Sequence, residues 1–114
     1  MAKVYKIVAR SDWDAALRTD QFQGAAIDLR DGYIHLSTAA QATETARLHF
    51  AGQAGLVLVK LDAAKLGPAL KWEPSRGGQL FPHLYGSLDC GLALAVTPIE
   101  LDAGGTPKLG DLEA

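Results

Sequence analysis

Two short blocks of the sequence carry residue types that bind and transform ligands, and the first is DGYIHLSTAAQ at residues 31–41. Alternation with a period of two places Ile34 and Leu36 on one face of a predicted strand, and it leaves the ring-bearing and hydroxyl side chains on the other. A helix follows at once, and the free N–H groups of a helix N-terminus attract phosphates and carboxylates. We therefore expect one catalytic residue here, His35, and three ligand-binding residues, Tyr33, Ser37 and Thr38.

The same block also fits a purely structural role. Ser37 and Thr38 are residue types that commonly cap helices, because a side-chain oxygen accepts from a free N–H group of the first turn. His35 fits equally well as a half-buried imidazole that is hydrogen-bonded within a sheet. The local sequence leaves both interpretations open.

The second block is WEPSRGGQLFPHLYG at residues 72–86. A loop built on glycines carries a guanidinium that can pair with a phosphate or carboxylate. In an extended chain, three rings at every second position share one face, which suits a planar ligand. A carboxylate at its start could accept from a ribose hydroxyl or act as a base. These residues are Glu73 and His83 as catalytic candidates, and Arg76, Phe81 and Tyr85 as ligand-binding candidates.

A structural alternative exists for this block too, with Trp72 and Phe81 in the core and Glu73 paired with a neighbouring cation. The ligand-binding interpretation makes a geometric prediction. Both blocks send leucines to one face and rings to the other, so they are expected to form a single cleft. In that cleft the side chains of His35 and His83 lie within about two strand spacings, roughly 10 Å.

Hydrophobic patterns predict the elements that position these blocks. Capping-box spacings at Ser11 with Asp14 and at Thr38 with Gln41 predict two helices. Alternating or continuous apolar runs predict the strands, and a Gly/Pro-rich stretch predicts a loop. The expected helices are 12–19 and 39–51, the expected strands are 4–9, 33–37, 56–61, 70–73 and 92–101, and the expected loop is 74–82.

Because strands outnumber helices and the helices come early, the sequence predicts an α+β fold. We expect a curved or split, mostly antiparallel sheet with two helices in the first half. The single domain spans residues 1–102, and the Gly-rich segment 103–114 is expected to be a flexible tail.

Length and composition exclude several classes of protein. The chain has 114 residues, of which 48% are hydrophobic and 21% charged, as in one globular domain. A net charge of −2 lacks the basic excess of a general nucleic-acid binder. The N-terminal sequence lacks the apolar centre of a signal peptide, and no apolar run approaches the roughly 20 residues that span a bilayer. We expect a cytoplasmic protein with no membrane partner.

Well-known catalytic motifs do not occur in the sequence. It has no dinucleotide-binding glycine motif, phosphate-binding P-loop, nucleophile elbow or zinc-protease motif. The three histidines are widely spaced, so no metal site is expected. His49 is interpreted as a residue on the surface or in the last turn of a helix, and the single Cys90 as a small buried hydrophobe.

The pattern of residues resembles the DUF952 family of small proteins over residues 4 to about 100. The resemblance rests on Tyr5, Lys6, Ile7, Trp13, Ala16, the DGYIHLST run with Gln41, Ala46, Phe50, Trp72, Glu73 and the FPHLYG run. It implies a fold similar to that of the ADP-ribosyltransferases. In those enzymes a strand-to-helix block holds nicotinamide, and Gly32, Tyr33, Ser37 and the Ala46–Phe50 spacing resemble it. Lys6 stands where they have His or Arg near the adenosine ribose, and Glu73 is the candidate for their catalytic glutamate.

The resemblance implies NAD as the nucleotide and ADP-ribosyl transfer as the activity, with a small molecule or nucleotide as the partner. A second interpretation is a non-catalytic module that binds a ligand in the same cleft. A third is an NAD-using phosphotransferase like those of RNA repair, in which Lys6 and Arg76 would contact phosphate.

Overall fold

Antiparallel pairing joins the strands of the computed structural model, which describes residues 2–114. The strands are β1 (Lys3–Ala9), β2 (Gln21–Phe22), β3 (Ile34–His35), β4 (Ser37–Thr38), β5 (Leu56–Asp62), β6 (Leu70–Pro74), β7 (Leu80–Leu84), β8 (Leu88–Asp89), β9 (Ala95–Leu101) and β10 (Pro107–Lys108). A five-stranded sheet has the order β10-β9-β5-β1-β4, a three-stranded sheet the order β3-β7-β6, and β2 pairs with β8. The result is a mixed α/β domain with a curled antiparallel sheet and few helices.

The first half of the chain holds the helices α1 (Arg10–Leu17), α2 (Ala26–Asp31) and α3 (Ala39–His49). The predicted capping box of α3 is confirmed, because Thr38 Oγ1 accepts from Gln41 N at 3.3 Å and Thr38 N donates to Gln41 Oε1 at 3.1 Å. The prediction of two helices is wrong for residues 2–114, since α2 is a third. The capping box at Ser11 is also wrong, because Ala9 is the N-cap of α1 and α1 begins at Arg10.

Short 3-10 helices at Ala63–Ala69, Arg76–Gly78 and Cys90–Leu92 connect the later strands. Within residues 2–114, no helix combines the length and apolar composition needed to cross a membrane.

Strand β1, which lies between β5 and β4, buries both of its faces, which explains its nearly continuous apolar sequence. Val4 and Val8 pack with Trp13 of α1 in one hydrophobic cluster. Tyr5 and Ile7 point the other way and belong to a second cluster. The main sheet is therefore covered on both sides.

The strand predicted over residues 33–37 is split between two sheets. Ile34 and His35 pair with Leu84 and His83 of β7, whereas Ser37 pairs with Tyr5 of β1. At the break, Leu36 N donates to Pro82 O at 3.0 Å. Proline has no N–H group to return a bond, so the ladder of β3 with β7 weakens at this point.

The loop predicted over residues 74–82 is wrong at both ends. Pro74 lies in β6, and the central strand of the smaller sheet begins at Leu80 and includes Pro82. Pro82 is tolerated there because the backbone N–H group that proline lacks would point to the side of β7 where β3 has already ended.

Residues 103–114 are placed differently from the free tail expected from composition. Pro107 and Lys108 form β10 beside β9, and Leu109 and Leu112 pack against the cluster that contains Tyr5. The hydroxyl of Tyr5 donates to the carbonyl oxygen of Glu113 at 2.6 Å. The apolar residues that hold this segment in place are separated by glycines and polar residues, so its composition does not predict that it packs against the domain.

Candidate active site

Two histidines face each other across the smaller sheet. His35 of β3 and His83 of β7 are direct cross-strand partners, and their ring centroids are 5.8 Å apart at an interplanar angle of 71°. The predicted proximity of the two side chains is confirmed. Direct antiparallel partners point to the same side of a sheet, so the register alone brings the imidazoles together.

His35 is held by Asp28, a residue that the sequence analysis missed. Asp28 Oδ1 lies 2.7 Å from His35 Nδ1 and accepts from the backbone N–H of His35 at 3.0 Å. The other ring nitrogen, Nε2, lies 3.0 Å from Asp31 Oδ2. Both ring nitrogens therefore face carboxylate oxygens, and both can donate only when the imidazole carries two protons.

The carboxylate of Asp28 is buried and fully partnered. Lys6 Nζ, also buried, lies 3.0 Å from Oδ1 and 2.8 Å from Oδ2, and Ala25 N donates to Oδ2 at 2.8 Å. Burial by itself would raise the pKa of Asp28, but the hydrogen bond from His35 and the charge of Lys6 outweigh it and hold that pKa below its usual range. Burial lowers the pKa of Lys6, and the charge of Asp28 opposes that shift.

Gly24 makes room for Asp28 at the start of α2. Its φ is +123°, and a Cβ atom there would lie 2.8 Å from the Asp28 Cβ. Only glycine combines this backbone conformation with such a close approach. A glycine ahead of an acidic residue in the first turn was the only sequence signal for Asp28, and it is a weak one.

His83 is held by a second carboxylate, that of Glu73 on β6. Glu73 Oε1 lies 2.7 Å from His83 Nδ1 and accepts from the hydroxyl of Tyr85 at 2.7 Å. These hydrogen bonds, the one from His83 first, lower the pKa of Glu73, and the bond to Glu73 raises the pKa of Tyr85. A neutral imidazole that donates from Nδ1 carries its lone pair on Nε2, so His83 is equipped to act as a base.

Tyr33 packs among the rings of the site. Its ring stacks on His83 with centroids 4.1 Å apart, and it also contacts His35 at 4.6 Å and Tyr85 at 5.4 Å. Burial and the nearby carboxylates, Asp31 first, raise the pKa of the Tyr33 hydroxyl. Tyr33 thus fixes the orientation of the His83 ring.

A cavity of about 240 Å³ opens beside the two imidazoles. His35, Ser37, Arg76, Phe81 and His83 line it, as does buried Lys6. Six of the ten predicted site residues thus lie around one space, contributed by β1, β3, β4, β7 and the Arg76–Gly78 turn.

Four predicted site residues lie outside the lining of this cavity. Thr38 caps α3, which uses its hydroxyl. Glu73 is hydrogen-bonded to both Tyr85 and His83. Tyr33 lines a smaller neighbouring cavity together with Asp28. Lys6 does line the main cavity, but its ammonium group is paired with Asp28 rather than free for a ligand.

His49 is a lining residue that the sequence analysis interpreted only as a surface position of a helix. It does lie exposed in the last turn of α3, on the same face as Thr45 one turn earlier. Cys90 is buried, as expected. Among residues 2–114, no group of three or more His, Cys, Asp or Glu side chains is arranged to hold a metal ion.

The sequence pattern of the family described as "Protein of unknown function (DUF952)" matches residues 7–96. The chain belongs to the DUF952 family. The match includes Asp28, His35, Glu73 and His83, so both carboxylate–histidine pairs lie inside the family region.

Solved structures similar to this DUF952 protein come from Caulobacter crescentus. The X-ray structure of protein CC0527 is 50% identical, with a TM-score of 0.92 and 94% of each chain covered. The solution NMR structure of CC0527 is 51% identical, with a TM-score of 0.85, 95% of this chain and 93% of that chain covered. No curated protein sequence matches the chain. The fold described above is therefore shared with solved structures of similar sequence.

Proposed function

We propose that the cleft of His35 and His83 binds a nucleotide of the NAD type and catalyses transfer of its ADP-ribosyl group. The observation that carries the proposal is the pair of imidazoles 5.8 Å apart, each with Nδ1 held by a carboxylate, at the wall of one cavity. Two anchored titratable groups in different surroundings are a common basis for acid–base catalysis. The resemblance of DUF952 to the ADP-ribosyltransferase fold supports the choice of nucleotide.

The residues of the cavity suit one half of such a dinucleotide. About 240 Å³ is at the small end of ligand pockets, so a single mononucleotide unit would occupy it and the remainder would extend outside. Arg76 suits a phosphate group, and its guanidinium lies over the Phe81 ring.

In ADP-ribosyl transfer the bond between nicotinamide and ribose breaks, its electron pair leaves with nicotinamide, and an acceptor oxygen bonds to the ribose carbon. His83 would accept the acceptor proton on Nε2, and Glu73 would stabilise the imidazolium so formed, since a carboxylate at Nδ1 plays this part in other histidine bases. His35 lies between Asp28 and Asp31, which hold its ring in place at the wall of the cavity, where it would contact the bound ligand.

One observation favours a non-catalytic binding module as the second candidate. Both donors at Glu73 Oε1, His83 and Tyr85, belong to the protein itself. This oxygen of Glu73 is therefore already hydrogen-bonded within the protein, whereas the glutamate of a transferase would contact ribose. In this alternative the cleft binds the nucleotide without cleaving it.

The test measures NAD binding by calorimetry and nicotinamide release by chromatography. We expect wild-type protein to bind NAD and to release nicotinamide, and His83→Ala to abolish release. Glu73→Gln should reduce release by about 10- to 100-fold, as when the carboxylate behind a functional histidine is lost. Glu100→Gln, which alters an exposed carboxylate on β9, is the matched control and should leave release unchanged.

His35→Ala distinguishes a ligand role from a structural role. Its side chain is 30% exposed, and Asp28 keeps Lys6 and two backbone N–H groups as partners, so the loss of stability should be only about 1–2 kcal/mol while NAD binding is lost. Binding without nicotinamide release would favour the second candidate. If wild-type protein neither binds NAD nor releases nicotinamide, the proposal is wrong.

A further inference from the structure

In the part of the chain that the structure describes, the side chains that line the main cavity include basic ones but no acidic ones. All three histidines of the chain line it, together with Lys6 and Arg76, and its lining contains no Asp or Glu side chain among residues 2–114. The carboxylates that anchor His35 and His83 lie behind the imidazoles. Lys6 is paired with Asp28, whereas Arg76 lines the cavity and pairs with no carboxylate in the described part of the chain. A cation at a cavity whose lining has no carboxylate selects anionic ligands.

Arg76 has the geometry of an anion-binding guanidinium. One Nη atom donates to Thr45 Oγ1 at 3.3 Å, and the guanidinium carbon lies 4.9 Å from the centroid of the Phe81 ring. Arg76 is half-buried, and within the described part of the chain no carboxylate pairs with it. The ring covers one face of the guanidinium, which leaves its edge donors available for a bidentate anion.

Helix α3 places further donors beside Arg76. Thr45 and His49 are one turn apart on the same helix face, and Ser37 Oγ donates to Thr45 Oγ1 at 3.1 Å. His49 lies exposed in the last turn of α3 and lines the same cavity. Ser37 uses its one proton on Thr45 Oγ1, so the available donors are the Thr45 hydroxyl, the His49 imidazole and the Arg76 guanidinium. Together they can bond three oxygens, which a phosphate has and a carboxylate lacks.

We propose that Arg76, Thr45 and His49 form a subsite for a phosphate group, with Ser37 positioning the Thr45 hydroxyl. The ligand class is therefore a phosphorylated molecule whose reacting part faces His35 and His83. This inference rests on the proposed function because it uses the same cavity. Its test is separate, since inorganic phosphate contains neither nicotinamide nor ribose.

The experiment titrates inorganic phosphate at constant ionic strength and follows the imidazole signals by NMR, because all three histidines line the cavity. We expect saturable shifts of the His49 signals in wild-type protein. Arg76→Ala should weaken phosphate binding by about tenfold or more, as expected for loss of a charged hydrogen-bond donor. Arg76→Lys should restore part of the affinity, because it keeps the charge but not the bidentate edge.

Two exposed residues outside the cavity lining serve as matched controls. Arg18→Ala removes an exposed arginine after α1, and Thr43→Val removes an exposed threonine of α3 on another face. Both should bind phosphate as wild type does, whereas Thr45→Val should bind it more weakly. Thr45→Val also keeps the test decisive if Arg76→Ala fails to fold, which urea unfolding would reveal.

Three outcomes would overturn the subsite. These are the absence of saturable phosphate binding, an Arg76→Ala affinity equal to that of Arg18→Ala, and binding of acetate as tight as that of phosphate. If phosphate binds as expected but NAD neither binds nor is cleaved, the subsite stands and the proposed function fails. If NAD is cleaved but phosphate does not bind, the proposed function stands and the phosphate subsite is wrong.

Discussion

His35 and His83 are cross-strand partners whose Nδ1 atoms are each 2.7 Å from a carboxylate oxygen, yet the two carboxylates come from different kinds of element. Asp28 reaches His35 from the first turn of α2 and is buried. Glu73 reaches His83 from the neighbouring strand and is partly exposed. The two pairs therefore bury opposite partners, the carboxylate of Asp28 in one and the imidazole of His83 in the other.

Asp28→Asn should strongly destabilise the protein. The substitution keeps the size of the side chain but leaves the buried ammonium of Lys6 without a counter-ion. We expect the free energy of unfolding in urea to fall by about 3–5 kcal/mol. Asp14→Asn, at an exposed position of α1, should change it by less than about 0.5 kcal/mol. The double variant Lys6→Met/Asp28→Asn should recover part of the loss, because no unpaired charge remains. Equal effects of Asp28→Asn and Asp14→Asn would contradict the described burial.

The stability conferred by Asp28 should depend on pH in the acid range. Its folded-state pKa is lowered, so below about pH 4 the unfolded chain binds a proton that the folded protein does not. The contribution is complete above that pH and is lost as the pH falls toward the folded-state pKa. Between about pH 4 and 2, wild-type stability should fall more steeply than that of Lys6→Met/Asp28→Asn, by up to about 1.4 kcal/mol per pH unit. Parallel pH profiles in urea unfolding would show that Asp28 is not held in its ionised form.

Glu73→Gln should lower the pKa of Tyr85. The hydrogen bond to the Glu73 carboxylate raises that pKa above 10.0, and a neutral amide does not stabilise the protonated phenol in the same way. The ring carbon bonded to the hydroxyl reports phenolate formation by NMR in a pH titration. Glu100→Gln should leave the Tyr85 titration as in wild type. An unchanged Tyr85 pKa in Glu73→Gln would mean that the bond of 2.7 Å between the two side chains is not formed in solution.

Gly24→Ala should cost more stability than Gly52→Ala. Both glycines have positive φ, +123° and +79°, so alanine is strained at each. A Cβ atom at position 52 meets nothing within 4 Å, whereas at position 24 it lies 2.8 Å from the Asp28 Cβ. We expect a loss of about 1–2 kcal/mol at Gly52 from backbone strain, and a further loss of about 1–3 kcal/mol at Gly24 from the clash. Thermal unfolding of the two variants measures the difference, and equal losses would contradict the close approach.

The sequence by itself determined the elements that depend on neighbouring residues. β1 and β5 follow from apolar, β-branched runs, and α3 follows from the reciprocal bonds of Thr38 and Gln41. Alternation within the two blocks also predicted that His35 and His83 would share a cleft. These predictions succeeded because side-chain alternation and helix capping act over a few residues.

Only the tertiary structure decided what each of these side chains contacts. Nothing near Asp28 indicates that its carboxylate meets Lys6, 22 positions earlier, and His35, seven positions later. The split of residues 33–37 between two sheets depends on Pro82. The basic lining of the cavity depends on the fold bringing Arg76, from the Arg76–Gly78 turn, and His49, from α3, to the same space. Such contacts join residues far apart in the chain. Their partners are selected by burial and by the need to satisfy each buried charge, which local sequence patterns do not encode.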